Sequence, residues 1–120
     1  MSFSVRNASD ADAKRIDEDW GSLTWLASAT IGNAEELTVG RVIIKAGCNN
    51  PPHHHPNCEE VLYLLAGRLE HVAGDEMVAM EPGDTLVVAA GVSHHARSTG
   101  DVDADMIVTY SSGDRQVVGE

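Results

Sequence analysis

Gly47-Cys48-Asn49-Asn50-Pro51-Pro52-His53-His54-His55-Pro56-Asn57-Cys58-Glu59-Glu60-Val61-Leu62-Tyr63-Leu64-Leu65-Ala66-Gly67 is the stretch whose reading decides the fold. It holds three of the chain's 6 histidines and two adjacent carboxylates, and it runs straight into an apolar segment. Alternate residues of an extended strand point to the same side, so His53 and His55 can share one interior while His54 faces away. Glu60 opens the next extended run, Glu60 to Leu65, which ends at a turn at Ala66-Gly67. Two imidazoles and a carboxylate make a nitrogen and oxygen donor set that suits Mn, Fe, Ni, Cu or Zn better than Ca or Mg. Glu59 is the alternative carboxylate, but neighbours on an extended segment face opposite sides, so one of the two has to point away. A further donor must come from elsewhere in the chain, and His94 offers it.

The spacing of Gly47, His53, His55, Glu60 and Gly67 follows G-x5-H-x-H-x4-E-x6-G. Gly83, Gly91 and His94 follow G-x5-P-x-G-x2-H-x3-N, with Ala89 where proline is usual and Ser98 where asparagine is usual. With both motifs in this order, the chain resembles the cupin superfamily over roughly residues 37–110, and it is similar to the smaller, single-domain bacterial-type members. The resemblance implies an all-β fold, a double-stranded β-helix or jelly-roll barrel, with one divalent transition metal bound inside by His53, His55, Glu60 and His94. The six-residue spacing to Gly67 favours Glu60 over Glu59. The two departures touch local turn geometry and no ligand. A homodimer is also implied, made partly by the N-terminal segment, with Trp20 and Trp25 as anchors.

At 120 residues the chain fits one domain, expected to run over 1–120 with an N-terminal arm at 1–15 and the barrel core at 37–110. Nineteen acidic against 8 basic residues give a formal net charge of -11. That surface repels nucleic acid and anionic membrane, and sets a repulsive long-range field against anionic substrates that a bound cation can reverse locally. The small-molecule substrate or ligand expected as partner is what the cupin resemblance implies. No apolar run approaches the length of a membrane span, and residues 1–14 lack an apolar signal core, so a cytoplasmic protein is expected. Cys48 and Cys58 are too few for a disulfide scaffold and are expected to remain thiols.

Residues 1–15 read as a loop or one short helical turn, with Ser9 and Asp12 as a capping-box signal. Extended segments are expected at Trp20–Leu26, Leu37–Lys45 with a bulge at Gly40-Arg41, Arg68–Ala73, Met77–Met80, Thr85–Val88 as a buried strand, His94–Ser98 and Ala104–Tyr110. Turns fall at Ile31–Ala34, Gly74–Glu76, Glu81–Asp84 and Gly100-Asp101. The tail from Ser111 is expected to pair with a neighbour or a sheet edge. Many short strands without a helical period indicate a β-sandwich or barrel.

His54 and His95 are read as outward-facing, and His71 is given no role. Tyr63 is read as core or subunit packing, with a phenol acting on substrate as the alternative; Tyr110 and Trp25 are open in the same way. Cys58 is read as a small packed residue rather than a thiolate ligand, and Met77, Met80 and Met106 as core or interface. Three imidazoles and one carboxylate leave an octahedral metal with open positions, a requirement for catalysis. An oxygenase, a non-redox isomerase or lyase acting on a sugar acid or similar compound, and a non-catalytic ligand-binding module all fit. An enzyme is preferred, with the dioxygenase type placed first.

Overall fold

A computed structural model describes residues 2–120. The short helix α1 (Ala8–Asp12) precedes eleven strands: β1 (Ile16–Glu18), β2 (Gly21–Ala27), β3 (Thr38–Ile44), β4 (His53–His54), β5 (Glu60–Ala66), β6 (Leu69–Ala73), β7 (Glu76–Met80), β8 (Thr85–Val88), β9 (His95–Ser98), β10 (Ala104–Tyr110) and β11 (Val118–Gly119). A six-stranded sheet runs β1-β2-β3-β10-β5-β8, a three-stranded sheet β7-β6-β9, and β11 pairs with β4. All pairings are antiparallel. This is the all-β barrel anticipated from the motifs.

Period-two alternation builds the core. β3 and β10 bury every second residue, which sends Val42, Ile44, Met106, Val108 and Tyr110 inward to meet Leu62 and Leu64 of β5. Ile44, Leu64, Leu69, Met106 and Val108 are the largest fully buried side chains. Each contributes about 1.5–3 kcal/mol of burial. Glu60 takes the first inward position of β5, in register with Tyr110 on one side and Val88 on the other. The alternation that builds the core thus carries one carboxylate to the barrel's interior.

Several local expectations change. The helix is capped by Asn7, whose side chain accepts from the Asp10 N–H, so Ser9 lies inside the helix and is not its cap. The bulge falls opposite the expected place: register slips between Trp25 and Ala27 on β2, and Gly40 on β3 lies across from Trp25. A Cβ on Gly40 would stand 2.6 Å from the Trp25 ring, so the glycine makes room for the indole. β8 is the edge of its sheet rather than a buried strand, with only Val88 buried. The turn at Gly67 is as expected: its φ of 82° is left-handed, and a Cβ there would also meet the Asp103 carbonyl at 2.5 Å. Met80 and Met106 are core, whereas Met77 is exposed. Trp20 and Trp25, expected as subunit anchors, are partly buried and packed against the core. Tyr63, Val61 and Leu65 form the outward row of β5, which places Tyr63 away from the interior. Among the described residues, no helix is long and apolar enough to cross a membrane.

Candidate metal centre

Backbone pairing brings the two motifs together. His53 and His94 lie directly opposite each other and exchange both main-chain hydrogen bonds, at 3.0 and 2.8 Å. The Gly91 N–H donates to the His55 carbonyl at 2.8 Å. Ser98 and Gly47 keep the two segments in step, the Gly47 N–H donating to the Ser98 carbonyl at 3.0 Å and the Ser98 N–H to the Cys48 carbonyl at 2.9 Å. Both contacts run through the main chain, and the buried Ser98 hydroxyl itself has no hydrogen-bond partner.

His53, His55, Glu60 and His94 each point one donor atom into a common space, and these atoms all lie within 4.8 Å of one another. The Glu60 carboxylate is 3.3 Å from both His55 Nε2 and His94 Nε2. Two atoms each about 2.1 Å from one ion stand about 3 Å apart as neighbouring ligands and about 4.2 Å apart as opposite ones. Glu60 is buried and Glu59 exposed, which answers the choice between them in favour of Glu60 as the inward carboxylate.

The hydrogen bonds on the far side of each ring say which nitrogen is free. His53 Nδ1 donates to the Pro51 carbonyl at 2.7 Å, His55 Nδ1 to Gln116 at 2.9 Å and His94 Nδ1 to Val92 at 2.9 Å. A carbonyl only accepts, so each Nδ1 carries the hydrogen and each Nε2 is left to present a lone pair. Three Nε2 atoms and a carboxylate then converge, and the buried His55 Nε2 has no hydrogen-bond partner. This excess of acceptors fits a cation. Burial opposes charging His94, but the hydrogen bond it donates to the Glu60 carboxylate, the Val92 carbonyl and the Glu60 charge together raise its pKa. Burial likewise pushes Glu60 up, but His55 and His94 outweigh it and hold the carboxyl well below its usual range. Burial lowers His53, with further repulsion from its two neighbours.

A cavity of about 280 Å³ opens beside His53, Glu60 and His94. Trp20, Trp25, Tyr110 and Arg115 line it together with His71. The Tyr110 ring meets the His55 ring edge-on at 4.8 Å. Its phenol stays protonated, its pKa raised by burial and by the Glu60 charge.

His71 is one of the residues that sequence reasoning missed, with Arg115. It is buried, its ring stacks on His94 at 5.3 Å, and both of its nitrogens lack partners. Burial and the neighbouring His94 lower its pKa to about 4. The signal was its parity with Leu69 on β6, since both point inward. The other candidates fall outside the cluster. His54 Nδ1 is 2.8 Å from Glu120 on the C-terminal tail, and His95 is partly buried on β9. Cys58 is buried in the core, where burial pushes its thiol pKa up.

The family model for the cupin domain matches residues 40–110. The chain belongs to the cupin family. Protein SchB of Streptomyces halstedii is 30% identical over 87 residues, 72% of this cupin and 63% of that protein. Oxalate oxidase 1 of Hordeum vulgare is 26% identical over 102 residues, 78% of this chain and 49% of the relative. The chain thus spans about half to two-thirds of the length of these relatives. Among solved structures, an oxalate decarboxylase of Bacillus subtilis studied for its Mn(II) centres superposes with a TM-score of 0.78 at 20% identity, over 88% of this chain and 29% of that one. The last comparison speaks to the fold alone.

Proposed function

We propose that this cupin is a mononuclear metal enzyme of the dioxygenase type, acting on a small organic molecule that binds through an oxygen at an open position of the metal. The observation that carries this reading is the convergence of three hydrogen-fixed Nε2 atoms and the Glu60 carboxylate beside a cavity of about 280 Å³. His53, His55, Glu60 and His94 would hold the ion, and the mixed nitrogen and carboxylate set suits redox-capable manganese or iron. Bound there, the metal supplies Lewis acidity and one-electron chemistry toward substrate and dioxygen. The Pro51, Gln116 and Val92 carbonyls keep each ring in one tautomer and orientation. Glu60 balances the ion's charge, Tyr110 retains a proton at its hydroxyl next to that carboxylate, and the apolar wall excludes water. The similarity to a protein named oxalate oxidase supports an oxidative reaction in this reading.

The test is dioxygen consumption by protein reconstituted with Mn(II) or Fe(II) against a panel of organic acids. Metal-dependent consumption with product formation is expected. Metal-dependent turnover without oxygen uptake would move the protein to the non-redox isomerase or lyase class. Metal binding with no turnover of any panel member would favour a ligand-binding module.

A further inference from the structure

The cavity beside the four donors contains a cation that the metal reading leaves unused. The Arg115 guanidinium carbon lies 4.4 Å from the Trp25 ring centroid and 5.1 Å from that of Tyr110. Among the described residues Arg115 has no carboxylate partner and its side chain makes no hydrogen bond, whereas Arg15, Arg41, Arg68 and Arg97 are each paired with an acid; Arg6 is unpaired as well, but it does not line the cavity. The chain has 19 acidic residues for 8 basic ones, so an unpaired arginine at a cavity wall runs against its own composition. Cation–π contact with two rings restrains the guanidinium and leaves its N–H fork uncommitted. Most of the remaining wall is apolar, with Leu23, Val42, Ile44, Leu62, Met106 and Val108. His71, only 5% exposed and with both nitrogens unpartnered, borders the same space.

We propose that this cavity binds a monocarboxylic acid with an apolar, ring-sized body, its carboxylate paired with Arg115. The planar fork of a guanidinium matches a carboxylate bidentately. The aliphatic wall accepts the body, and His71 offers a hydrogen bond to a hydroxyl or carbonyl on it. The cavity of about 280 Å³ is near the lower bound for organic-ligand pockets and far roomier than a two-carbon dianion requires. A second carboxylate would be buried against aliphatic side chains with no cation beside it, except at the metal. This names the substrate class for the site proposed above and rests on that reading.

Trp20 and Trp25, the chain's 2 tryptophans, both line the cavity, so their fluorescence reports occupancy without turnover. The experiment titrates the metal-loaded 120-residue protein with cyclohexanecarboxylate and with its uncharged amide, then repeats both after chelator removes the metal. The acid is expected to bind at least tenfold more tightly than the amide in both forms. Arg115→Gln should weaken the acid at least tenfold and leave the amide unchanged, and Arg115→Lys should recover part of the loss. Equal binding of acid and amide by the parent protein, or undiminished acid binding by Arg115→Gln, overturns the proposal. Acid binding that survives Arg115→Gln but disappears with the metal would put the carboxylate on the ion, which overturns this proposal and leaves the metal reading standing. Arg115-dependent binding in a protein that takes up no metal would sustain this proposal while the enzyme reading fails.

Discussion

His54 sits between two of the four donors in sequence, yet its ring turns to Glu120, 2.8 Å away. Strand parity, rather than proximity in sequence, decides which histidine joins the inward cluster. Alanine at His53, His55 or His94 is therefore expected to remove most bound metal, a loss exceeding the 10–100-fold typical of residues that only orient a ligand. His54→Ala should stay loaded. Metal-to-protein ratios of the four variants check this, and equal loss in all of them would contradict the assignment. His71 carries a prediction of a different kind. An unfolded histidine titrates near 6.5, and His71 in the folded protein only near 4. Between these values the unfolded chain holds a proton that the native state lacks, so stability is full above about pH 6.5 and is lost as pH falls toward 4. The loss attributable to His71 is up to about 3 kcal/mol. Denaturant melts of the parent and of His71→Gln at pH 7 and pH 5 should show the variant less acid-sensitive; identical pH dependence would contradict it.

The short β11 and the residues before it matter more than their length suggests. Gln116 supplies the carbonyl that fixes the His55 ring, and Glu120 meets both His54 and Ser93. Removing residues 116–120 should lower metal affinity by about 10–100-fold while far-UV circular dichroism stays that of the full chain; unchanged affinity would show that the tail does not orient His55. On β3, Gly40→Ala is expected to cost about 1–3 kcal/mol by forcing the Trp25 ring from its place, read as a lower denaturant midpoint. Most strands were legible in the sequence from local rules, since side-chain parity separates His53 and His55 from His54, while the clustering of Glu60 and His94 with them was legible only through the motif spacing that the chain shares with the cupins. The bulge at Trp25, the edge position of β8 and the stacking of His71 on His94 were not legible. Each depends on which strand lies next to which, and that is set by contacts between residues distant in sequence. Arg115 escaped for the same reason, since its two ring partners come from β2 and β10.

At the scale of the whole molecule, the six-stranded sheet turns Val61, Tyr63, Leu65 and Val87 outward, between 37% and 61% exposed. The expectation of a homodimer, with this face rather than the tryptophans at the contact, predicts a solution mass twice the chain's 12.8 kDa and a monomer for Tyr63→Glu. Light scattering on the eluting protein checks both, and a monomeric parent would contradict it. The barrel as a whole joins two distant sequence segments so that three lone pairs and a carboxylate share one buried space, and the central claim is that a transition metal occupies that space. The most direct measurement is metal content by mass spectrometry on untagged protein purified without chelator. About one manganese or iron per chain is the predicted result. No bound metal, and none taken up on reconstitution with Mn(II), Fe(II) or Zn(II), would contradict it and leave the barrel without its proposed centre.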